Sequence, residues 1–256
     1  MRTIATVGRW SRSVAETFLA WLAAPAGLAW LDVGCGTGAL TGAIAVGCAP
    51  GRVVGIDASL GFLDLARQQS QFEFVDAEFR QADARALPFA DGAFERAVSG
   101  LVLNFLPDPA GAMAEMVRVT RADGEVALYV WDYAEGMQLI RRFWDAASHL
   151  DADAAAMDEA QRFPICRPQP LRRLFAASGL RDVEVRAIDV PTVFRDFDDY
   201  WKPFLGGQGP APSYCVLLGE EARARLRERL RLSLPIEADG SIRLMARAWA
   251  VRGRKH

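Results

Sequence analysis

The stretch Leu31-Asp32-Val33-Gly34-Cys35-Gly36-Thr37-Gly38-Ala39-Leu40 decides the fold of this chain. The apolar run Ala29–Val33 leads into it and is typical of a buried strand, while Gly38–Val46 can form a helix directly after it. Glycines at such a junction let the backbone turn sharply and let a ligand lie against bare main chain. The free N–H groups at the start of the following helix favour anionic atoms. The pattern predicts a ligand-binding loop between the first strand and its helix.

Strand and helix signals then alternate up to Trp131. The further predicted strands are Arg52–Ile56, Ala77–Ala82, Arg96–Ser99 and Glu125–Trp131, the last one after a turn at Asp123-Gly124. Because each connection has the length of a helix, the strands are expected to run parallel, with helices on both faces. The sequence therefore predicts an α/β fold with a doubly wound, Rossmann-like sheet.

The flanking regions have a different pattern. A first helix carries Val14, Phe18 and Leu22 on one face, and Ser11 or Ser13 could cap it. Two more strands are predicted at Val183–Ile188 and Ile242–Val251. Between them lie an aromatic stretch, a Gly/Pro-rich segment over residues 206–212 that predicts a loop, and a charged helix over residues 220–232.

Composition excludes several classes of protein. The 256 residues are 51% hydrophobic and 24% charged, as in a globular protein rather than a disordered or fibrous one. A net charge of -2 disfavours a nucleic-acid partner. The uncharged run Phe18–Leu31 is short for a membrane span, and Glu16 beside it argues against a signal peptide. The four cysteines have no CxxC spacing, which predicts reduced thiols in a cytoplasmic protein and no metal site.

Two classes of ligand suit the loop. Gly34-x-Gly36-x-x-Ala39 satisfies the loose dinucleotide fingerprint, and Asp57, after the second strand, can accept both hydroxyls of an adenosine ribose in either class. Asp32 would repel a pyrophosphate, whereas it suits a ligand that carries an amino group and a sulfonium. After the third strand, the Asp83 side chain and the Ala84 backbone N–H could address an adenine ring.

These residues resemble the class I S-adenosylmethionine-dependent methyltransferases, and among them the small-molecule branch related to quinone-biosynthesis methyltransferases. The resemblance covers Trp30 to about Trp131. It rests on LDVGCGTG (31–38), GIDAS (55–59), ADARALPFADGAFERAVS (82–99) and the Asp123-Gly124 turn. What it implies is a seven-stranded sheet whose seventh strand runs antiparallel, with a small cap inserted between strands six and seven.

The resemblance also implies a set of cofactor-binding residues. Gly34, Gly36 and Gly38 would line the amino-acid half of S-adenosylmethionine, and Asp32 would orient the loop and the methionine amino group. By position, Asp57 would hold the ribose, Asp83 and Ala84 the adenine, and the backbone from Ser99 to Leu101 would lie near the sulfonium. The backbone of Cys35 would lie near the ligand, and Ala58 is a further candidate beside Asp57. Trp10 could cover the cofactor, because a sulfonium gains from an aromatic face, or could simply be a packing residue of the first helix.

Candidate residues for the acceptor side lie past the fourth and fifth strands and in the cap. Asn104, Trp131 and Tyr133 belong to the first group. Tyr200 and Trp201 could form a substrate wall or part of the core. No catalytic residue is assigned, and no metal is expected.

The domain organisation follows from the same reasoning. We expect a single domain over residues 1–256, with an N-terminal helical segment (1–28), a cofactor-binding core (29–132) and a cap (190–240). The predicted activity is methyl transfer from S-adenosylmethionine to a small organic acceptor. An NAD(P)-dependent oxidoreductase and a non-catalytic S-adenosylmethionine-binding module remain as alternatives.

Overall fold

The computed structural model describes residues 4–72, 76–206 and 209–256, and these residues form one seven-stranded sheet. The strands are β1 (Ala29–Val33), β2 (Arg52–Asp57), β3 (Glu78–Gln81), β4 (Phe94–Gly100), β5 (Thr120–Trp131), β6 (Arg181–Phe194) and β7 (Ile242–Arg254). Their spatial order is β3-β2-β1-β4-β5-β7-β6. β1 pairs in parallel with β2 and β4, β2 with β3, and β4 with β5. β7 runs antiparallel, so the predicted fold class is confirmed.

Ten α-helices connect these strands within the described ranges. They are α1 (Ile4–Leu22), α2 (Ala39–Gly47), α3 (Leu60–Phe72), α4 (Pro109–Val119), α5 (Gln138–Leu150), α6 (Glu159–Arg162), α7 (Pro168–Ala177), α8 (Phe197–Trp201), α9 (Pro210–Leu217) and α10 (Glu220–Ser233). None of the helices in the described part of the chain has both the length and the apolar character that a membrane crossing requires.

Three local predictions were wrong. α1 begins at Ile4, so Ser11 and Ser13 lie inside the helix and not at its start. The predicted turn Asp123-Gly124 lies within β5, where Asp123 adopts a positive φ of 58° and the strand continues past it. The Gly/Pro segment is helical from Pro210 onward, because proline is tolerated in the first turn of a helix; Gly207 and Gln208 lie outside the described residues.

The residues form two compact units. The first, called here the glycine-loop unit, comprises Ser11–Val130, Pro168–Ile188 and Trp249–His256. The second, called here the aromatic unit, contains Trp131–Arg167 and Asp189–Ala248 with the residues up to Trp10.

The core of the glycine-loop unit is built around its strands. Trp30, Leu31 and Val54 are fully buried, as their apolar strands predict. From α1, the Phe18 ring packs on the Tyr129 ring of β5 with 4.8 Å between the centroids. This core fixes the strand ends from which the loop emerges.

The core of the aromatic unit contains a cluster of aromatic rings in contact with one another. Phe143 of α5 lies 4.4 Å from Phe204 between ring centroids, and Tyr214 of α9 packs against Phe143 and Trp144. The Trp144 indole donates a hydrogen bond to the buried carboxylate of Glu159, whose other oxygen accepts the backbone N–H of Ala211. Phe204, Ala211 and Tyr214 of the predicted cap are therefore part of this packed core. β6 reaches Phe194, so the predicted cap, 190–240, includes the end of a strand.

Candidate functional site

The glycine loop follows β1 and turns with positive φ angles. Gly34, Gly36 and Gly38 have φ values of 75°, 54° and 89°. The backbone N–H groups of Gly34 and Cys35 both donate to the carbonyl of Ile56 at 2.8 Å, which ties the loop to the end of β2. Gly38 is the N-cap residue of α2. Glycine is required here because other residues pay a steric cost at positive φ.

The space around the glycines differs from one to the next. A Cβ on Gly34 would lie 2.6 Å from a methyl group of Val102, in the segment after β4. A Cβ on Gly36 would meet no described atom within 4 Å. Gly34 is therefore needed for a close contact within the protein, whereas the space at Gly36 is open to a ligand.

Asp32 is the most unusual charged group of the loop. Its side chain is completely buried, and its Oδ2 accepts a hydrogen bond of 2.6 Å from the Thr41 hydroxyl of α2. Its Oδ1 is shielded from solvent and has no hydrogen-bond partner among the described residues. Burial raises the pKa of Asp32 to about 7, against the hydrogen bond from Thr41, and the charge of Asp57 adds to the rise. An unpaired buried carboxylate oxygen is costly, so this atom fits a cationic donor supplied by a ligand.

Asp57 connects the loop to the end of β2. Its Oδ2 accepts the N–H of Gly36 at 3.0 Å, and its Oδ1 accepts the N–H of Ser59 at 2.8 Å. The side chain is half-buried, and each carboxylate oxygen retains a further lone pair for a ligand hydroxyl. The neighbouring Ala58 is exposed, and its carbonyl accepts a hydrogen bond from Gln81.

Asp83 begins a turn, in which its backbone carbonyl accepts the N–H of Ala86 at 3.0 Å. Both of its oxygens accept hydrogen bonds from the Arg85 guanidinium, the shortest at 2.7 Å, and Oδ1 also accepts the Arg85 backbone N–H. These contacts lower the pKa of the exposed Asp83 carboxyl to about 2. Ala84 is buried beside it. The adenine contacts of both residues stay a prediction.

The end of β4 and the segment after it also lie next to the glycine loop, where Val102 contacts Gly34. The Ser99 hydroxyl donates to the carbonyl of Val33 at 2.7 Å, so this side chain holds two strand ends together. Leu101 has a positive φ of 62°, and its N–H donates to the carbonyl of Tyr129. Asn104 lies in a short 3-10 helix, and its side-chain nitrogen is shielded with no partner among the described residues. Backbone strain and unpaired buried donors cluster at functional sites, but they also occur elsewhere in this chain, so the ligand contacts of Leu101 and Asn104 stay a prediction.

The remaining predicted residues belong to the aromatic unit. Trp10 packs edge-on against Phe194 with 5.2 Å between centroids. Trp131, at the end of β5, and Tyr133 are buried, and the Trp131 indole N–H has no partner among the described residues. These three residues stay predictions as ligand contacts.

Tyr200 and Trp201 are both buried in α8. The Tyr200 hydroxyl donates to the carbonyl of Leu139 at 3.1 Å, and the Trp201 ring stacks on Phe197. Their contacts are those of core residues, and a role as substrate wall stays a prediction.

Sequence reasoning missed two residues that shape the loop. Thr41 holds Asp32, and Val102 closes against Gly34. A polar residue in the otherwise apolar first turns of α2 was the signal for Thr41. Nothing in the local sequence distinguishes Val102 from other apolar residues.

Taken together, the geometry defines a class of site. A glycine loop, a carboxylate at the end of β2 and an orphaned buried carboxylate oxygen meet at the carboxyl edge of parallel strands, where ligands bind in open α/β sheets. The open space at Gly36 and the lone oxygen of Asp32 fit an adenosyl ligand with a cationic amino-acid end. They do not favour a pyrophosphate, which carries negative charge to the same place.

Comparison with known proteins identifies the family. A family profile described as methyltransferase domain matches residues 31–128. The chain is 42% identical over 170 residues to the demethylmenaquinone methyltransferase of Lactiplantibacillus plantarum, covering 60% of this chain and 70% of that protein. The chain belongs to the class I S-adenosylmethionine-dependent methyltransferases, and S-adenosylmethionine is the cofactor of that family.

Other relatives match over a shorter span. The 2-phytyl-1,4-naphtoquinone methyltransferase of Thermosynechococcus vestitus is 40% identical over 110 residues, which are 42% of this chain and 48% of that protein. With two more curated relatives the match covers 34% and 41% of their length, so the chain spans about half or less of these three proteins.

Solved structures agree on the fold. The YcgJ protein of Bacillus subtilis superimposes with a TM-score of 0.61 at 17% identity, covering 95% of this chain and 98% of that one. A phosphoethanolamine N-methyltransferase of Haemonchus contortus in complex with S-adenosyl-L-methionine has a TM-score of 0.58 at 15% identity, with 96% and 52% covered. The [4+2]-cyclase SpnF, with a TM-score of 0.58 at 18% identity and 95% and 80% covered, shares the same fold. At these identities the fold alone is shared.

Proposed function

We propose that this chain transfers the methyl group of S-adenosylmethionine to a small organic acceptor and releases S-adenosylhomocysteine. The observation that carries the proposal is the orphaned Oδ1 of Asp32 beside a glycine loop whose Gly36 faces open space. Family membership supports the same activity.

Each predicted binding residue has a role in this proposal. Each carboxylate oxygen of Asp57 already accepts one backbone N–H, from Gly36 or from Ser59, and its remaining lone pair accepts a ribose hydroxyl. The glycine loop lines the amino-acid half, and Asp32 accepts an N–H of the α-ammonium group. Asp83 and Ala84 hold the adenine, which requires the exocyclic amine to share the Asp83 carboxylate with Arg85.

The chemistry needs orientation more than a reactive side chain. Bound S-adenosylmethionine supplies a methyl group that is already activated by its sulfonium. The protein aligns donor and acceptor and excludes water, and such orientation contributes about 7–11 kcal/mol to lowering a barrier. In the transfer, the nucleophile forms a bond to the methyl carbon as the carbon–sulfur bond breaks, and the electron pair goes to sulfur. A proton of the nucleophile leaves to solvent or to a base.

For the acceptor we propose a quinone-type ring compound. The two relatives described above carry demethylmenaquinone and 2-phytyl-1,4-naphtoquinone in their names. In this chain the shielded side-chain nitrogen of Asn104 supports a polar contact to an acceptor oxygen. Trp131, Tyr133, Tyr200 and Trp201 stay in the proposal as acceptor-side candidates, and Trp10 as a cofactor-side one.

We further propose a cytoplasmic enzyme that acts on free small molecules and not on nucleic acid. The net charge of -2 and the four free cysteines support this reading. Cell fractionation and a gel-shift measurement with RNA and DNA test these two points.

The test of the main proposal has a binding stage and a turnover stage. Calorimetry is expected to show binding of S-adenosylhomocysteine and no binding of NAD or NADP to the same protein. Asp57→Asn is expected to weaken S-adenosylhomocysteine by about tenfold or more, since it removes a charged acceptor of hydroxyl groups. Turnover is then followed as S-adenosylhomocysteine release with oxidised and reduced naphthoquinones, phenols and amines. NAD binding, or binding of S-adenosylhomocysteine without release from any acceptor, would contradict the proposal.

A further inference from the structure

Tyr129 is a buried tyrosine of β5 whose hydroxyl has no assigned purpose. The residue is 2% exposed, and its ring is held by Phe18 of α1. The hydroxyl makes no hydrogen bond with the described residues, although the backbone carbonyl of Tyr129 accepts the N–H of Leu101. A tyrosine hydroxyl inside a protein usually has a hydrogen-bond partner, and a ligand can supply one here.

The direction of the side chain follows from the strand register. Tyr129 lies opposite Gly100 on β4, and a Cβ on Gly100 would lie 2.6 Å from the Tyr129 hydroxyl oxygen and 2.8 Å from its ring carbon Cζ. The phenol therefore lies over β4 at Gly100, the one residue of this strand that has no side chain. Beyond β4 in the sheet comes β1.

β1 carries Asp32 on the same face. Asp32 pairs with Val98, which lies two residues before Gly100, so both rows of side chains point the same way. Burial, and then the negative charge of Asp32, raise the pKa of the Tyr129 phenol, as expected of two neighbouring groups. No direct hydrogen bond joins them, because Asp32 Oδ1 has no partner among the described residues.

We propose that the Tyr129 hydroxyl and Asp32 Oδ1 together receive the α-ammonium group of S-adenosylmethionine, which makes Tyr129 a positioning residue of the cofactor. An ammonium group has three N–H donors, and one carboxylate oxygen satisfies them only in part. The phenol oxygen accepts a second N–H, directly or through one water. A side chain at position 100 would collide with the phenol, so this position at the end of β4 requires glycine.

The inference rests on S-adenosylmethionine being the cofactor, and its test separates the two. Tyr129→Phe keeps the ring, the contact with Phe18 and the passage over Gly100, and removes only the hydroxyl. Binding is measured by calorimetry with S-adenosylhomocysteine and with 5′-methylthioadenosine, which has the adenosine and sulfur but lacks the amino acid. Tyr214→Phe is the matched control, because it removes a hydroxyl that donates to Asp151 in the aromatic unit.

The expected result is a selective loss. Tyr129→Phe should bind S-adenosylhomocysteine about tenfold more weakly, as for a hydrogen bond to a charged group, and 5′-methylthioadenosine with unchanged affinity. Tyr214→Phe should bind both ligands like the wild type. In the Asp32→Asn background, Tyr129→Phe should cost less than in the wild type, because the two groups share one ligand group.

Two results would overturn the inference. Equal affinity of wild type and Tyr129→Phe for S-adenosylhomocysteine would show that the hydroxyl does not meet the amino-acid end. An equal loss for both ligands would assign Tyr129 a packing role only. If the wild type binds neither ligand, the proposed cofactor itself fails, which is a different outcome.

Discussion

Gly34 has no room for a side chain, and this gives the first prediction at the residue scale. Gly34→Ala places a methyl group 2.6 Å from Val102 and an alanine at a φ of 75°. The positive φ costs about 1–2 kcal/mol and the overpacking about 1–3 kcal/mol more. We expect the free energy of unfolding, measured in urea, to fall by about 2–5 kcal/mol.

Two comparisons make this prediction specific. Val102→Ala combined with Gly34→Ala should recover part of the loss, since the methyl groups in contact are removed. Gly47→Ala should change stability by less than about 1 kcal/mol, because its Cβ would lie in open space. A Gly34→Ala protein as stable as the wild type would contradict the close contact.

Asp32 gives the second residue-scale prediction, which concerns the pH dependence of cofactor binding. Its pKa is raised to about 7, so the carboxyl is mostly protonated at pH 6. An ammonium group needs the ionised form, and the ionised fraction rises by about five- to tenfold from pH 6 to pH 7.5. The affinity for S-adenosylhomocysteine should rise in the same proportion over this range.

Calorimetry at several pH values measures this effect, and Asp32→Asn is the control. Asparagine can still accept the Thr41 hydroxyl but does not titrate, so its affinity should be lower and flat with pH. A flat profile in the wild type would show that Asp32 does not meet the ammonium group.

At the scale of elements, side chains of α4 form hydrogen bonds with the backbone of the segment that follows Ala84. Glu115 accepts the N–H of Leu87 at 2.7 Å, and Arg118 donates to the carbonyls of Leu87 and Phe89. Arg118 also pairs with Glu115 and with Asp91, and these contacts raise the pKa of its guanidinium. The helix thus holds the chain next to the proposed adenine contacts.

Arg118→Lys tests this fastening. A lysine keeps the charge but cannot make the several directed hydrogen bonds of a guanidinium. We expect a loss of about 1–2 kcal/mol in unfolding free energy, with faster amide exchange at Leu87 and Phe89. Arg225→Lys on α10, an exposed residue with only a 3.9 Å ion pair, is the control and should be neutral. Unchanged exchange in Arg118→Lys would mean that the segment is held by other contacts.

The sequence was most informative about elements with local signals. Ala29–Val33 has the predicted bounds, and Ser59 caps α3 by accepting the N–H of Phe62. β3 is shorter than the predicted Ala77–Ala82, and the other strands are longer than predicted, because pairing with neighbours extends a strand past its apolar residues. Asp123 shows this, since β5 continues through a residue with turn chemistry.

The site was predictable only in part for the same reason. Asp32, Asp57 and the glycines stand at strand ends that the pattern locates. Val102 contacts Gly34 from the segment after β4, and the Tyr129 hydroxyl lies over Gly100 of β4. These contacts depend on strand order and register. The contact of Asp83 with Arg85 is local, because an aspartate side chain readily accepts the backbone N–H two residues further on.

At the scale of the whole molecule, the chain forms two compact units. Whether they fold as the predicted single domain stays a prediction. The family resemblance implied a cap over residues 190–240. In the structure these residues cluster with Trp131–Arg167, which had no place in that expectation. The ring contacts between Phe143 and Phe204 join the two segments and could not be read from either one alone.

Several buried carboxyl groups give the last prediction, which concerns the stability of the ligand-free protein. Burial raises the pKa of Asp32 to about 7 and also raises the pKa of Glu125 and Glu159. A carboxyl whose pKa is higher in the folded state binds more protons when folded than when unfolded. Between the unfolded pKa near 4 and the folded one, stability therefore falls as pH rises.

We expect the free energy of unfolding in urea to decrease from pH 5 to pH 8. Asp32→Asn should stabilise the ligand-free protein more at pH 8 than at pH 5, because at pH 8 it removes a buried charge that has no cationic partner. Asp83→Asn is the control: its pKa of about 2 lies below this range, so the difference between the two pH values should stay as in the wild type. If Asp32→Asn has the same effect at both pH values, Asp32 is ionised throughout this range. Its unpaired oxygen would then need a cation other than the cofactor to balance it.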